Sequence, residues 1–205
     1  MNFKPFLISA LSICLISLNA CKKEDPNKLP ADPIVTDVTL LNIESSFFTP
    51  TYLKLSTGEL STNPKDFLWD ICFQHAQLQI NGGSRATPQR LGNARGQLLH
   101  VPYHLVKDIP NLAGLKQDHS GENFALGYRA GGLSWYYTAN NIYFPYTDKT
   151  IFLATADGKG YAKIKILSFY RNMPDLSRAD YNSLAETQGY YSLQYQYIEN
   201  INYFN

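Results

Sequence analysis

The sequence is short of the side chains that usually carry chemistry. It holds three cysteines, two methionines and four histidines among 205 residues. Cys14 lies inside an N-terminal apolar run and Cys21 just after it. Cys72 is then left without a partner, which excludes an internal disulfide framework. Net charge is lacking too. Lys4 is the only charge in the first twenty residues, and the rest of the chain carries as many basic as acidic side chains. A chain so balanced has no electrostatic hold on a phosphate backbone, so no nucleic-acid partner is expected. There is no G-x-S-x-G elbow, no H-E-x-x-H pair, no glycine-rich phosphate loop and no C-x-x-C pair, and the expectation is a protein that is not an enzyme. His100 and His104 have the spacing of two metal ligands on one helical turn, but Pro102 between them disfavours a helix. In a strand they would stand roughly 13 Å apart, too far for one ion.

What is present starts at the N-terminus. Residues 1–20, MNFKPFLISALSICLISLNA, have one Lys, an apolar run from Phe6 to Leu18 and then small and polar residues. That is the layout of a secretory signal, with an apolar core too short for a good membrane span. Leu18-Asn19-Ala20-Cys21 resembles the bacterial lipobox, in which the peptidase cuts before the cysteine and the sulfur carries a diacylglycerol. The alternative is ordinary secretion with a free Cys21. Residues 21–35 continue after Cys21 with KKEDPNKLPADP, a polar run with Pro26, Pro30 and Pro33 that reads as an extended tether. Its Lys-Glu-Asp resembles the acidic tag that sends some lipoproteins to the outside of the outer membrane. Residues 36–205 remain, enough for one domain with a sizeable core.

The hydrophobic rhythm of that domain has period two far more often than 3.6. Residues 34–43 and 47–55 read as strands, Leu60–Pro64 as a turn, and Phe67–Ile80 as one long strand ending in Asn81-Gly82-Gly83. Ser84–Gly96 is polar, aperiodic and Arg-rich, and reads as a solvated loop. Gln97–Val106 is strand-like, and 107–122 is an irregular excursion. Short strands follow at 124–128 and 133–137. Residues 149–156 and 161–169 flank Asp157-Gly158, among the best local hairpin signals. In the second of these strands Lys163, Lys165 and Leu167 alternate with Ala162, Ile164 and Ile166, as in a half-exposed strand. Residues 177–187 are the one helix candidate, with Ser177 as N-cap. A last strand follows, with Tyr191, Leu193, Tyr195 and Tyr197 on one face. The expected fold class is mainly β: packed antiparallel sheets with at most one short helix near 177–187. The chain holds fifteen tyrosines and eleven phenylalanines; most of them serve that fold, and some of the tyrosines could line a binding face.

Four segments, in this order behind a lipobox, carry a resemblance: W-D-I-x-F at 69–73 with Asn81-Gly82-Gly83 after it, Trp135-Tyr136-Tyr137, A-D-G-K-G-Y-A-K-I-K-I-L-S-F-Y at 156–170, and G-Y-Y-S-L-Q-Y-Q-Y at 189–197. The chain from about residue 36 resembles the HmuY family of haem-binding surface lipoproteins. The third segment is the most specific, although Gly160-Tyr161 is inserted relative to the family pattern. The resemblance implies a mainly β fold, haem as the cofactor, capture of haem outside the cell and transfer to a TonB-dependent outer-membrane receptor. It implies axial iron donors on two loops. The first, Gln117-Asp118-His119-Ser120-Gly121, supplies His119. The second, residues 138–146, has neither His nor Met. Three readings follow: Tyr137 or Tyr143 completes the ligation as a phenolate, His119 binds iron alone, or the chain binds a different apolar, planar or oligomeric ligand. The competing function class is a surface lipoprotein of the same fold that binds glycans or peptides and has lost haem ligation.

Overall fold

The structure, a computed structural model, describes residues 35–199 except 122 and 128–132. The expected signal at 1–20, the lipid site Cys21 and the tether as far as residue 34 lie outside the described residues. Strands appear in chain order as β1 (Val35–Glu44), β2 (Thr51–Lys54), β3 (Glu59–Ser61), β4 (Ile71–Gln74), β5 (Gln77–Ile80), β6 (Arg95–Leu99), β7 (Tyr136–Ala139), β8 (Ile142–Pro145), β9 (Thr150–Ala154), β10 (Gly160–Tyr170) and β11 (Gln188–Glu199). They form a five-stranded sheet in the order β1-β11-β10-β9-β6, a four-stranded sheet in the order β3-β2-β4-β5, and a two-stranded ribbon, β7-β8. Every strand pair in these sheets is antiparallel. The mainly β expectation holds. Among the described residues no helix is long and apolar enough to cross a membrane.

Period-two patterning builds the core. Ile151 and Leu153 of β9, Ile164 and Ile166 of β10, and Tyr191, Leu193, Tyr195 and Tyr197 of β11 face Leu53, Ile71, Phe73, Leu78 and Ile80 of the smaller sheet in one apolar cluster. The opposite face of the large sheet is also covered. Phe152, Tyr161 and Ile198 pack there with Leu115, Ile109 and Leu112 from the irregular excursion. Lys163 was expected on a half-exposed strand. It is buried instead, because Tyr103 and Val106, at a 3₁₀ turn within the segment read as a strand at 97–106, roof it: its Nζ donates to Val106 O at 2.8 Å and lies 4.7 Å from the Tyr103 ring centroid.

Three expectations about elements are corrected. The segment read as one strand from Phe67 to Ile80 is a hairpin, with β4 and β5 paired from Ile71↔Ile80 to Gln74↔Gln77 around His75-Ala76. His75 adopts a φ of 49° although it is not glycine. Tertiary partners hold the turn: His75 N–H donates to Ser45 Oγ at 3.0 Å, Tyr191 O–H to His75 O at 2.6 Å and Trp135 Nε1–H to Ala76 O at 3.0 Å. The helix is a single α-turn, α1 (Tyr181–Leu184), continued by a 3₁₀ turn, and its N-cap is Asp180, whose carboxylate accepts from Ser183 N–H at 2.9 Å, rather than Ser177. The turn read at Leu60–Pro64 is present, closed by Asp66 N–H on Asn63 O, but the chain up to it is not one strand: a further reversal at Thr57-Gly58, where Gly58 takes a positive φ of 72°, splits it into β2 and β3.

Asp70 ties the two sheets. Its buried carboxylate accepts from Leu55 N–H at 2.8 Å and from Ala156 N–H at 2.6 Å, one on each side of the sandwich. Burial pushes its pKa up to about 6, and the two backbone N–H donors pull against that shift. The folded state therefore binds the proton more tightly than the unfolded chain. The stability this group adds is fully present below pH about 4 and is lost as pH rises through about 6, at roughly 1.4 kcal/mol per pH unit in between. Urea unfolding at pH 5 and at pH 7.5 is expected to show a loss of about 1 kcal/mol at the higher pH relative to Asp70→Asn, in which this titration is absent.

Candidate ligand-binding site

The loop that carries His119 is clamped from below by the segment Asn81-Gly82-Gly83. Asn81 is fully buried and spends its side chain on the chain itself: Nδ2–H donates to Trp69 O at 2.8 Å, and Oδ1 accepts from Leu91 N–H at 2.8 Å and Gly92 N–H at 3.1 Å. Asp118 N–H donates to Gly82 O at 3.1 Å, and Ser84 N–H returns a bond to Asp118 O at 3.0 Å. The Asp118 carboxylate is buried and accepts from Ile80 N–H, Ala125 N–H and the Arg90 guanidinium at 2.9, 2.9 and 3.0 Å. Arg90, expected in a solvated loop, is buried to 1 % side-chain exposure in an ion pair with a fully buried Asp118. It also donates to Gln79 Oε1 at 2.7 Å and lies over the Trp69 ring. A buried charge persists only when its partners are inside with it, and these partners come from three separate segments that sequence periodicity does not connect.

His119 follows directly. Its N–H donates to Asn123 O at 2.8 Å, which closes the turn 119–123, and its Nδ1 lies 3.1 Å from Ser84 Oγ. Arg85 braces the same turn by donating to Gly121 O at 2.7 Å, with its guanidinium over the Phe124 ring at 4.3 Å. His119 is thus an exposed residue on a fixed loop, with Nδ1 engaged and Nε2 without a partner among the described residues. Beside the turn a cleft of about 210 Å³ is lined by His100, Lys116, Phe124 and Leu133. Among the described residues no group of three or more His, Cys, Asp or Glu is placed to hold a metal ion.

The two candidate tyrosines sit on the β7-β8 ribbon, and the ribbon separates them. Tyr137 pairs with Phe144, and Thr138 pairs with Tyr143, so the tyrosines project from opposite faces. Tyr137 is exposed. Its ring stacks on Phe144 at 5.2 Å and 15° and meets Tyr146 at 5.2 Å. Tyr143 turns inward, against Phe169 at 4.9 Å, Tyr136 at 5.0 Å and His75 at 6.0 Å, and Tyr170 O–H accepts from the Tyr143 N–H at 2.8 Å. Burial raises the pKa of the Tyr143 phenol, which keeps it neutral and works against a phenolate ligand. The wall expected from Tyr136, Tyr137, Tyr143 and Phe144 together is therefore two surfaces: an outward one of Tyr137, Phe144 and Tyr146, and an inward one that belongs to the core. No hydrogen bond or ring contact joins His119 to Tyr137 or Tyr143 among the described residues.

Comparison with known proteins places the architecture. No family model matches the chain, and no curated protein matches it in sequence. Among solved structures, the crystal structure of the apo HmuY analog of Tannerella forsythia superposes with a TM-score of 0.53 at 12% identity, covering 82% of this chain and 98% of that one. The likeness lies in the fold: the sandwich and ribbon described above are HmuY-like.

Proposed function

We propose that this chain is a lipid-anchored, non-enzymatic haem-binding protein of the bacterial outer membrane, displayed at the cell surface, that takes up haem and passes it to a TonB-dependent receptor. The observation that carries the proposal is His119 on an HmuY-like scaffold, with Nδ1 against Ser84 Oγ and Nε2 left over. Histidines that hold a metal usually have their other ring nitrogen fixed by an oxygen, which sets the tautomer and the ring orientation. Haem, when bound, supplies iron to coordinate and a flat apolar face to cover. His119 Nε2 would take the iron. Tyr137 and Phe144 offer an exposed ring surface suited to a porphyrin. The residues fit one axial ligand and not an ordinary pair, since Tyr143 faces the core and residues 138–146 hold neither His nor Met. That deficit is what favours the second reading, a glycan- or peptide-binding lipoprotein of the same fold.

Titration of the purified chain with haemin separates the two. Haem binding is expected to give a saturable Soret shift at one equivalent. A linear rise with no saturation would remove haem and leave the second reading.

A further inference from the structure

The open seam of the sandwich, where both sheets end, holds a groove of about 440 Å³. One wall is the edge strand β1 and the other is β2 with the edge strand β3. Ile43 lies buried at its floor, and Leu41 and Leu60 line it with much of their surface exposed. The turn Ser46–Thr49 closes one end, with Phe48, the neighbour of the lining Thr49, at 97% exposure.

Two features narrow what such a groove takes. The first is that β1 is not available for strand addition here. Its register shifts between Leu40 and Ile43, Asn42 has a φ of 56°, and the Asn42 side chain is committed to Asn172 through bonds of 2.7 and 3.1 Å. A bulge of this kind blunts an edge against pairing with an extended peptide. The second is the inventory of lining groups. Ser46 and Thr51 are used internally, Ser46 Oγ by the N–H groups of its own turn and Thr51 Oγ1 by Glu44 O at 2.5 Å. The hydroxyls of Thr49 and Thr62 and the carboxylate of Glu44 make no hydrogen bond among the described residues, and among the described lining residues Glu44 is the only charged one. Aliphatic walls, unengaged hydroxyls and a single negative charge match a compact ligand with an apolar C–H face and several hydroxyls. They do not match an anion. The volume lies within the range of small-molecule sites.

We infer that the groove between β1 and β3 binds a neutral or amino sugar, with Leu41 and Leu60 against its C–H face and Thr49, Thr62 and Glu44 on its hydroxyls. The site is separate from His119 and stands whether or not haem binds. The test is amide chemical-shift mapping of the full chain, isotope-labelled and purified in a sugar-free detergent, against glucose, N-acetylglucosamine, glucosamine and glucuronate. Saturable shifts confined to 41–49 and 60–62 are expected with the first three sugars, at dissociation constants on the order of 1 mM, and none with glucuronate. Thr49→Val and Thr62→Val should each weaken binding several-fold with unchanged spectra elsewhere, which separates lost contacts from lost folding. No shifts with any sugar, equal binding of glucuronate, or shifts at another location would each overturn the inference.

Discussion

Asp118→Ala is expected to destabilise the protein by about 4 kcal/mol, more than removal of its ionic partner. The asymmetry comes from what each change leaves behind. Without Asp118, the guanidinium of Arg90 stays buried with no counter-charge, and the N–H groups of Ile80 and Ala125 lose their acceptor. Arg90→Met leaves the Asp118 carboxylate without a counter-charge and Gln79 Oε1 without its donor, but the carboxylate keeps its two backbone donors, so a smaller loss of about 3 kcal/mol is expected. The double variant should be no more stable than Asp118→Ala by more than about 1 kcal/mol, because the orphaned backbone donors remain. Urea unfolding of the three variants checks the ranking. Equal losses from both single variants would mean that the ion pair, not the backbone bonds, holds the segments. Since Asp118 immediately precedes His119, proteolysis within 119–123 should accelerate in Asp118→Ala before global unfolding does.

Gly82→Ala is expected to be as damaging for a steric reason. A Cβ at residue 82 would sit 1.9 Å from Ala94 O and 2.9 Å from Ala94 C and N, all backbone atoms that cannot rotate away. The strand-to-loop crossing would have to separate, and with it the bond from Ala94 N–H to Asn81 O. A loss of at least about 3 kcal/mol is expected, at the upper end for overpacking. Gly158→Ala is the control. Its φ is +71° but nothing lies within 4 Å of the added carbon, so only the conformational term of about 1 kcal/mol applies. Thermal melts of the two variants should differ accordingly, and a Gly82→Ala variant as stable as Gly158→Ala would contradict the close crossing.

These two residues also show what the sequence leaves hidden. The hairpin at Asp157-Gly158 and the buried face of β11 are legible because a local signal and the final contact coincide: Gly158 takes the positive φ that the turn needs, and Tyr191, Leu193, Tyr195 and Tyr197 keep strict alternation. The β4-β5 hairpin is not legible, because His75-Ala76 contains no turn residue and is imposed by Ser45, Tyr191 and Trp135, from 30 to 116 residues away. The same holds at the candidate site. His119 stands out as a histidine in a turn-rich loop, but its clamp does not. Asp118 looks like one more polar loop residue and Arg90 like one more solvated cation until the fold buries them against each other. Face assignment on the ribbon was hidden for another reason. Tyr137 and Tyr143 lie six residues apart, and only the reversal at Asn140-Asn141, both at positive φ, puts them on opposite sides.

Visible spectra of ferric haem bound to the wild-type chain and to His119→Ala, taken side by side, put the iron ligand to the test. If His119 Nε2 takes the iron, the wild-type Soret band shifts and saturates, while the variant binds at least tenfold more weakly, a difference of about 1.4 kcal/mol, with an altered band. Identical spectra and affinities in the two proteins, or no binding in either, would contradict it.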